Sequence, residues 1–184
     1  MTPDLLRARM SSILWPPDRP GDLHVWTILD GARSPEIFAA VQATLLPKCC
    51  LYAGDLRLPL QYVAPYLVRL ERGDSFTNEV IKYGWGNAWG VFLRSGSDVR
   101  ELRHHLRRFL RVADESGRRL VFRYYDPRVL RVYLPTCLTA ELEIFFGPVA
   151  QFVMEDDDAT AVLEFSFDGR QLVRKRVIGG GASP

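Results

Sequence analysis

The sequence predicts an α/β fold tending to α+β: a mixed central sheet with flanking helices, a short helical subdomain and a late β-hairpin. Three observations carry that expectation. Apolar strand-like runs alternate with capped helical stretches through the first half of the chain. Two short apolar helices follow one another over about 127–147, and two strand-like runs flank the acidic turn "EDDDA".

The elements follow in order. "LHVWTIL" (23–29) reads as a strand ending in Asp30-Gly31, a turn signal. Ser34-Pro35-Glu36 supplies an N-cap, a proline at the first helical position and a first-turn acid, opening a helix expected to run to near Leu46, before Pro47. "KCCLYAG" gives a short second strand, and "APYLVRL" (64–70) is an apolar segment closed by "ERGD". A short helix from Ser75 to about Tyr83 stops at Gly84 and Gly86, and "AWGVFLRS" (88–95) has the composition of a buried strand.

Ser97 is placed to cap a long helix, Asp98 to Val112. Its apolar residues Val99, Leu102, Leu106, Phe109 and Leu110 fall within about 100° of one another on a helical wheel. "RRLVFRYY" (118–125) reads as a further strand. Asp126 then caps a helix that starts at Pro127 and stops at Pro135, and a second helix, about Ala140 to Phe146, ends at Gly147-Pro148. "VAQFVME" and "TAVLEFSFDG" form the hairpin.

At 184 residues the chain is long enough for one domain that buries about 70% of its unfolded surface. The expected division is an N-terminal segment, 1–22, with helical potential; a single domain, 23–170, carrying the helical subdomain at about 127–147; and a C-terminal tail, 171–184, with a flexible "GGGASP" end. Hydrophobic residues make up 47% and charged residues 25%, as in ordinary folded domains. Arg, Gly or Pro interrupts every apolar run short of the roughly 18–20 residues of a membrane span, so no membrane insertion is expected. The N-terminus lacks a secretory pattern, and Cys49, Cys50 and Cys137 do not make a disulfide framework; both point to the cytoplasm.

The charges at the join of "VFRYYDPRVLRVYLP" (121–135) are the main site candidates. If the strands ending at Asp30 and Tyr125 ran parallel, Asp30 and Asp126 would share the carboxyl edge of the sheet, where open α/β folds place their sites. One reading is a metal-dependent hydrolase built on those carboxylates. Against it, Asp126 already has a capping role, and a phosphatase-like site would want a second acid two residues after Asp30. Arg128, in the first turn of its helix, opposes the helix dipole and needs a carboxylate. Asp30, Asp126, Glu141, Glu143 or an acid on a partner are the candidates.

Arg100, Arg103, Arg107 and Arg111 recur at helical spacing and form a basic stripe that could bind protein, pair internally or track phosphates. A net charge of +2 argues against a nucleic-acid partner. His104 and His105 are adjacent and cannot converge on one ion, and no zinc, phosphate-loop or dinucleotide motif is present, so neither metal nor cofactor is expected.

Taken in order, "ILDGAR" (28–33), "CLYAGD" (50–55), "APYLVRL", "WGVFLRS", "ELRHHLRRFLRV", "FRYYDPRVLRVYLP" and "FFGPV" (145–149) resemble the bacterial type VI secretion adaptor proteins, a family formerly catalogued as a domain of unknown function. The likeness runs from about Leu23 to Val149 and loosely on to Phe167. Asp30 and Arg33 match the family's first signature; Arg123, Asp126, Pro127 and Arg128 match its strand-to-helix signature. The resemblance implies a non-enzymatic cytoplasmic chaperone that binds a secreted toxic effector and helps load it on the VgrG spike. Many relatives carry a longer C-terminal region, so effector contacts made there are open to question in this chain.

Overall fold

The computed structural model describes residues 2–17, 22–113 and 116–178. Its elements, in chain order, are α1 (Pro3–Leu14), β1 (His24–Asp30), α2 (Pro35–Ala43), β2 (Lys48–Cys50), α3 (Leu58–Tyr62), β3 (Pro65–Leu70), α4 (Ser75–Gly84), β4 (Gly90–Ser95), α5 (Val99–Arg107), β5 (Arg111–Ala113), β6 (Arg119–Val121), α6 (Pro127–Tyr133), α7 (Thr139–Phe146), β7 (Val149–Glu155), β8 (Ala161–Phe167) and β9 (Leu172–Ile178).

One seven-stranded sheet, ordered β2-β3-β1-β4-β7-β8-β9, organises the fold, and β5 and β6 form a separate two-stranded ribbon. Every neighbouring pair is antiparallel. The fold class is therefore the α+β end of the expectation, with the late hairpin in place as β7–β8.

Side chains alternate across the sheet, so each strand feeds two cores. Trp26, Ile28, Leu67, Leu93, Phe152 and Leu163 pack under α5, α6 and α7. Val25, Leu29, Val68, Phe92, Val153 and Val162 pack under α1, α2 and α4. Burying each such side chain contributes about 1.5–3 kcal/mol before chain entropy is counted. The first core is aromatic: Phe145 lies 4.9 Å from Phe109, 5.5 Å from Tyr133 and 5.7 Å from Tyr124, centroid to centroid. These tilted and edge-on contacts suit the ring quadrupoles.

Several boundaries differ from those read in the sequence, each for a physical reason. The helix expected over 98–112 ends at Arg107. Phe109 and Leu110 still reach the core, but through successive tight turns that bond Phe109 N to the Leu106 carbonyl and Leu110 N to that of Arg107. Its N-cap is Asp98 rather than Ser97; the Asp98 carboxylate accepts from the amides of Arg100 and Glu101 at 2.8 and 2.9 Å. The strand expected over 118–125 shrinks to 119–121: after Phe122, whose amide bonds the Leu110 carbonyl, the chain leaves the ribbon and turns, with the Asp126 amide on the Arg123 carbonyl. The strands ending at Asp30 and Tyr125 are thus not parallel neighbours.

Likewise α2 stops at Ala43, three residues before Leu46. The supposed tail contains β9, paired along its length with β8, while 179–184 lie outside the described residues. Within 1–22, α1 docks through Leu6, Met10 and Leu14; 18–21 are also outside the described residues.

Candidate functional site

The antiparallel order brings the C-terminal ends of β1 and β7 to one edge of the sheet, which also receives the chain as it enters α6. Asp30 ends β1 and is fully buried. Its carboxylate accepts from the amide of Ala32 at 3.0 Å, so it starts the short 3-10 turn Gly31–Arg33. Gly31 is required there: a Cβ would stand 2.5 Å from the Tyr62 carbonyl oxygen and 2.8 Å from that of Ala64. The Asp30-Gly31 pair is therefore an acid plus the room to turn beside it.

Asp126 is the second acid. It caps α6 through the Arg128 amide at 3.0 Å, and Arg128 also grips it from Nε at 2.9 Å and Nη2 at 2.6 Å. This forked pairing resolves the sequence puzzle, since the cation in the first turn of α6 is neutralised by its own N-cap. Arg123 stands between the acids, bonded to Asp30 and 4.0 Å from Asp126. The result is a neutral row of two buried carboxylates and two partly exposed guanidinium groups; the Arg123 and Arg128 side chains are 40% and 49% exposed.

The electrostatics follow from this pairing. Burial alone would push the Asp126 carboxyl up, but the Arg128 hydrogen bonds, with the charges of Arg128 and Arg123, outweigh it and hold it below its ordinary value. The bond to Asp30 raises the Arg123 guanidinium further. Beneath them Tyr125 is almost wholly buried, and desolvation, with Tyr52 and Asp30 nearby, pushes its phenol well up.

The same edge holds further acids that the sequence reading passed over as a turn. Glu155, at the end of β7, is buried and accepts from the amides of Gly86 and Ala88. Burial raises its carboxyl above the ordinary value despite those bonds. Asp156 is held by Arg176 and accepts from the Ala161 amide at 3.0 Å, and Arg131 pairs with Asp157 at 2.5 Å. Two acids of the run "EDDDA" thus have arginine partners of their own, beside the row formed by Asp30, Arg123, Asp126 and Arg128.

Other candidates are dispersed. Arg33 leaves the rim and donates to the Asn87 carbonyl at 3.1 and 3.4 Å, on the opposite face of the sheet. The basic stripe breaks up: Arg111 lies on β5, and Arg103 turns inward to the carbonyls of Cys50 and Tyr52 at 2.9 and 3.2 Å. Arg100 is exposed and Arg107 half-buried. His105 is buried against the Phe145 carbonyl at 2.9 Å, and desolvation lowers its basicity. Among the described residues no three His, Cys, Asp or Glu side chains are grouped to hold a metal ion, and no helix is long and apolar enough to cross a membrane.

Fold and rim define an antiparallel α+β domain with helices on both faces and a charge-paired edge. The chain belongs to the family DUF4123, a domain of unknown function, which it matches over residues 25–143. That span holds Asp30, Arg33, Arg123, Asp126 and Arg128, whereas β7, β8 and β9 lie beyond it. No curated protein and no solved structure matches the chain.

Proposed function

We propose that this protein is a type VI secretion adaptor, which binds a toxic effector and promotes its loading onto the VgrG spike in the bacterial cytoplasm. It makes and breaks no bonds; its partners are the effector and the spike protein. The observation that carries this reading is the rim. Asp30 and Asp126 spend their oxygen atoms on Arg123, Arg128 and backbone amides, which stiffens two guanidinium groups while leaving them partly open to solvent. Pre-ordered arginines at a surface suit recognition of acidic groups on a partner, because less side-chain freedom is lost on docking.

The sequence motifs supply the specific reading of adaptor, and family membership is consistent with it. A hydrolase using Asp30 is disfavoured by the same geometry, since the buried carboxylate already gives Oδ2 to the Arg123 guanidinium and Oδ1 to the Ala32 amide.

The reading predicts a toxin and a spike protein encoded in the reading frames beside this chain's gene, and co-expression with them tests it. The wild-type chain is expected to co-purify with one or both, and Arg128→Glu to lose that complex while keeping its helical circular dichroism. Failure of the wild type to hold either protein, or metal-dependent turnover abolished by Asp30→Asn, would overturn it.

A further inference from the structure

β2 and β3 are antiparallel neighbours, which a turn of about two residues can join, yet between them the chain makes a long excursion over residues 51–64. At its centre lies α3, "LPLQY", apolar on every side save Gln61. A helix that is apolar all round is ordinarily sunk in a core, but no residue of α3 is buried. Leu58, Leu60, Tyr62 and, next in the chain, Val63 are 61, 50, 47 and 42% exposed. Apolar side chains gathered at a surface in this way mark a face that something else covers.

The lobe is held at its base. The Gln61 side chain donates to the Leu56 carbonyl at 2.7 Å, the Tyr66 hydroxyl donates to the Gln61 carbonyl at 2.8 Å, and the Gly31 amide donates to the Ala64 carbonyl at 3.1 Å. The Tyr62 ring rests against Phe38 of α2, with centroids 4.5 Å apart. Surface fixed beforehand loses less freedom on docking.

Charge says what covers it. Residues 51–64 contain one acid, Asp55, and one base, Arg57, and neither makes a close ion pair among the described residues. A two-fold axis through the lobe lets Asp55 of each copy meet Arg57 of the other, so the face is complementary to itself. An added strand is the poorer fit. Arg103 already takes the carbonyls of Cys50 and Tyr52, acceptors that a strand laid along the β2 edge would need.

We infer that the β2–β3 lobe is a homodimer interface, in which α3 of one copy packs on α3 of a second copy and two Asp55–Arg57 pairs flank the apolar contact. The dimer stands independently of the adaptor reading.

Sedimentation equilibrium of the purified full chain tests it. A dimer is expected at about 0.1 mM protein. Leu58→Glu with Leu60→Glu should give a monomer whose circular dichroism and melting match the wild type, because both side chains are exposed. Asp55→Arg alone and Arg57→Asp alone should each weaken the dimer by a factor on the order of ten. Combined, they should restore it, since exchanging both charges rebuilds both pairs. A wild type that is monomeric at that concentration overturns the inference, and so does a dimer that Leu58→Glu with Leu60→Glu leaves intact. A double charge exchange that dimerises no better than its single variants also overturns it. A monomeric wild type whose complex with the co-expressed toxin or spike is lost in Leu58→Glu with Leu60→Glu would make a different protein the occupant and likewise sink the dimer.

Discussion

The rim and the outer face of α2 and α4 both carry acidic side chains, yet they treat them oppositely. At the rim, Asp30 and Asp126 are buried, and each has an arginine and a backbone amide as partners. On the face of α2 and α4, Glu36 and Glu79 are exposed and make no close ion pair among the described residues, Lys82 acting on Glu79 only at longer range. The difference is one of solvent. A carboxylate removed from water costs several kcal/mol unless charge and hydrogen bonds replace the lost hydration, so burial enforces pairing. A hydrated carboxylate carries no such obligation and remains available to an incoming partner. Structural charge and recruiting charge can thus be told apart by what surrounds them rather than by residue type.

The largest expected effect tests the rim. Arg123→Ala strands the fully buried Asp30 carboxylate with only the Ala32 amide, and a loss of about 3 kcal/mol is expected in urea unfolding. A loss below about 1 kcal/mol would mean the pair is dispensable and would dissolve the contrast. Arg103→Ala comes next. Its guanidinium bonds two main-chain carbonyls around β2, so a loss of about 1–2 kcal/mol is expected, marking it as scaffold rather than as part of a basic binding stripe.

The pH profile sharpens the rim further, because two of its acids pull in opposite directions. Asp126 is depressed from 3.8, so its contribution is present above that pH and disappears as the folded-state carboxyl takes up its proton in stronger acid. Glu155 is raised from 4.5, so its neutral form favours the folded state and that contribution fades as pH rises above 4.5 through its raised value. Unfolding midpoints measured across pH should show Asp126→Asn flattening the acid limb and Glu155→Gln flattening the decline above 4.5. Unaltered limbs would detach both groups from the profile. The smallest effect is expected on the outer face of α2 and α4: Glu36→Lys with Glu79→Lys should leave the melting temperature near that of the wild type. A large drop would show these acids to be structural after all.

Much of this was legible in the residues. Asp126-Pro127 announced a capped helix, and Asp30-Gly31 a turn with an acid, because both are local signals whose chemistry is complete within a few positions. What stayed hidden depends on long-range pairing. Strand direction cannot be read from an apolar run, so Asp30 and Asp126 were brought to one edge by the wrong argument, a parallel sheet. Phe109 and Leu110 kept the helical period of α5 although the chain had already turned toward β5. Arg33 was grouped with Asp30 as part of one signature motif, but the intervening turn sends it to the other face. The strand at Leu172–Ile178 was missed because "RKR" reads as surface, although Asp168-Gly169 just before it carried a hairpin signal.

The strand order has a consequence for how the chain can be divided. The family match stops at residue 143, inside α7, yet β4 is hydrogen-bonded to β7, and the Phe145 ring sits 5.5 Å from Phe152. A fragment cut at that boundary would bare the full flank of a central strand and expose the aromatic hub to water. The stretch beyond residue 143, under a quarter of the polypeptide, is therefore part of the same interior, and the smallest autonomous unit is longer than the stretch that defines its kinship.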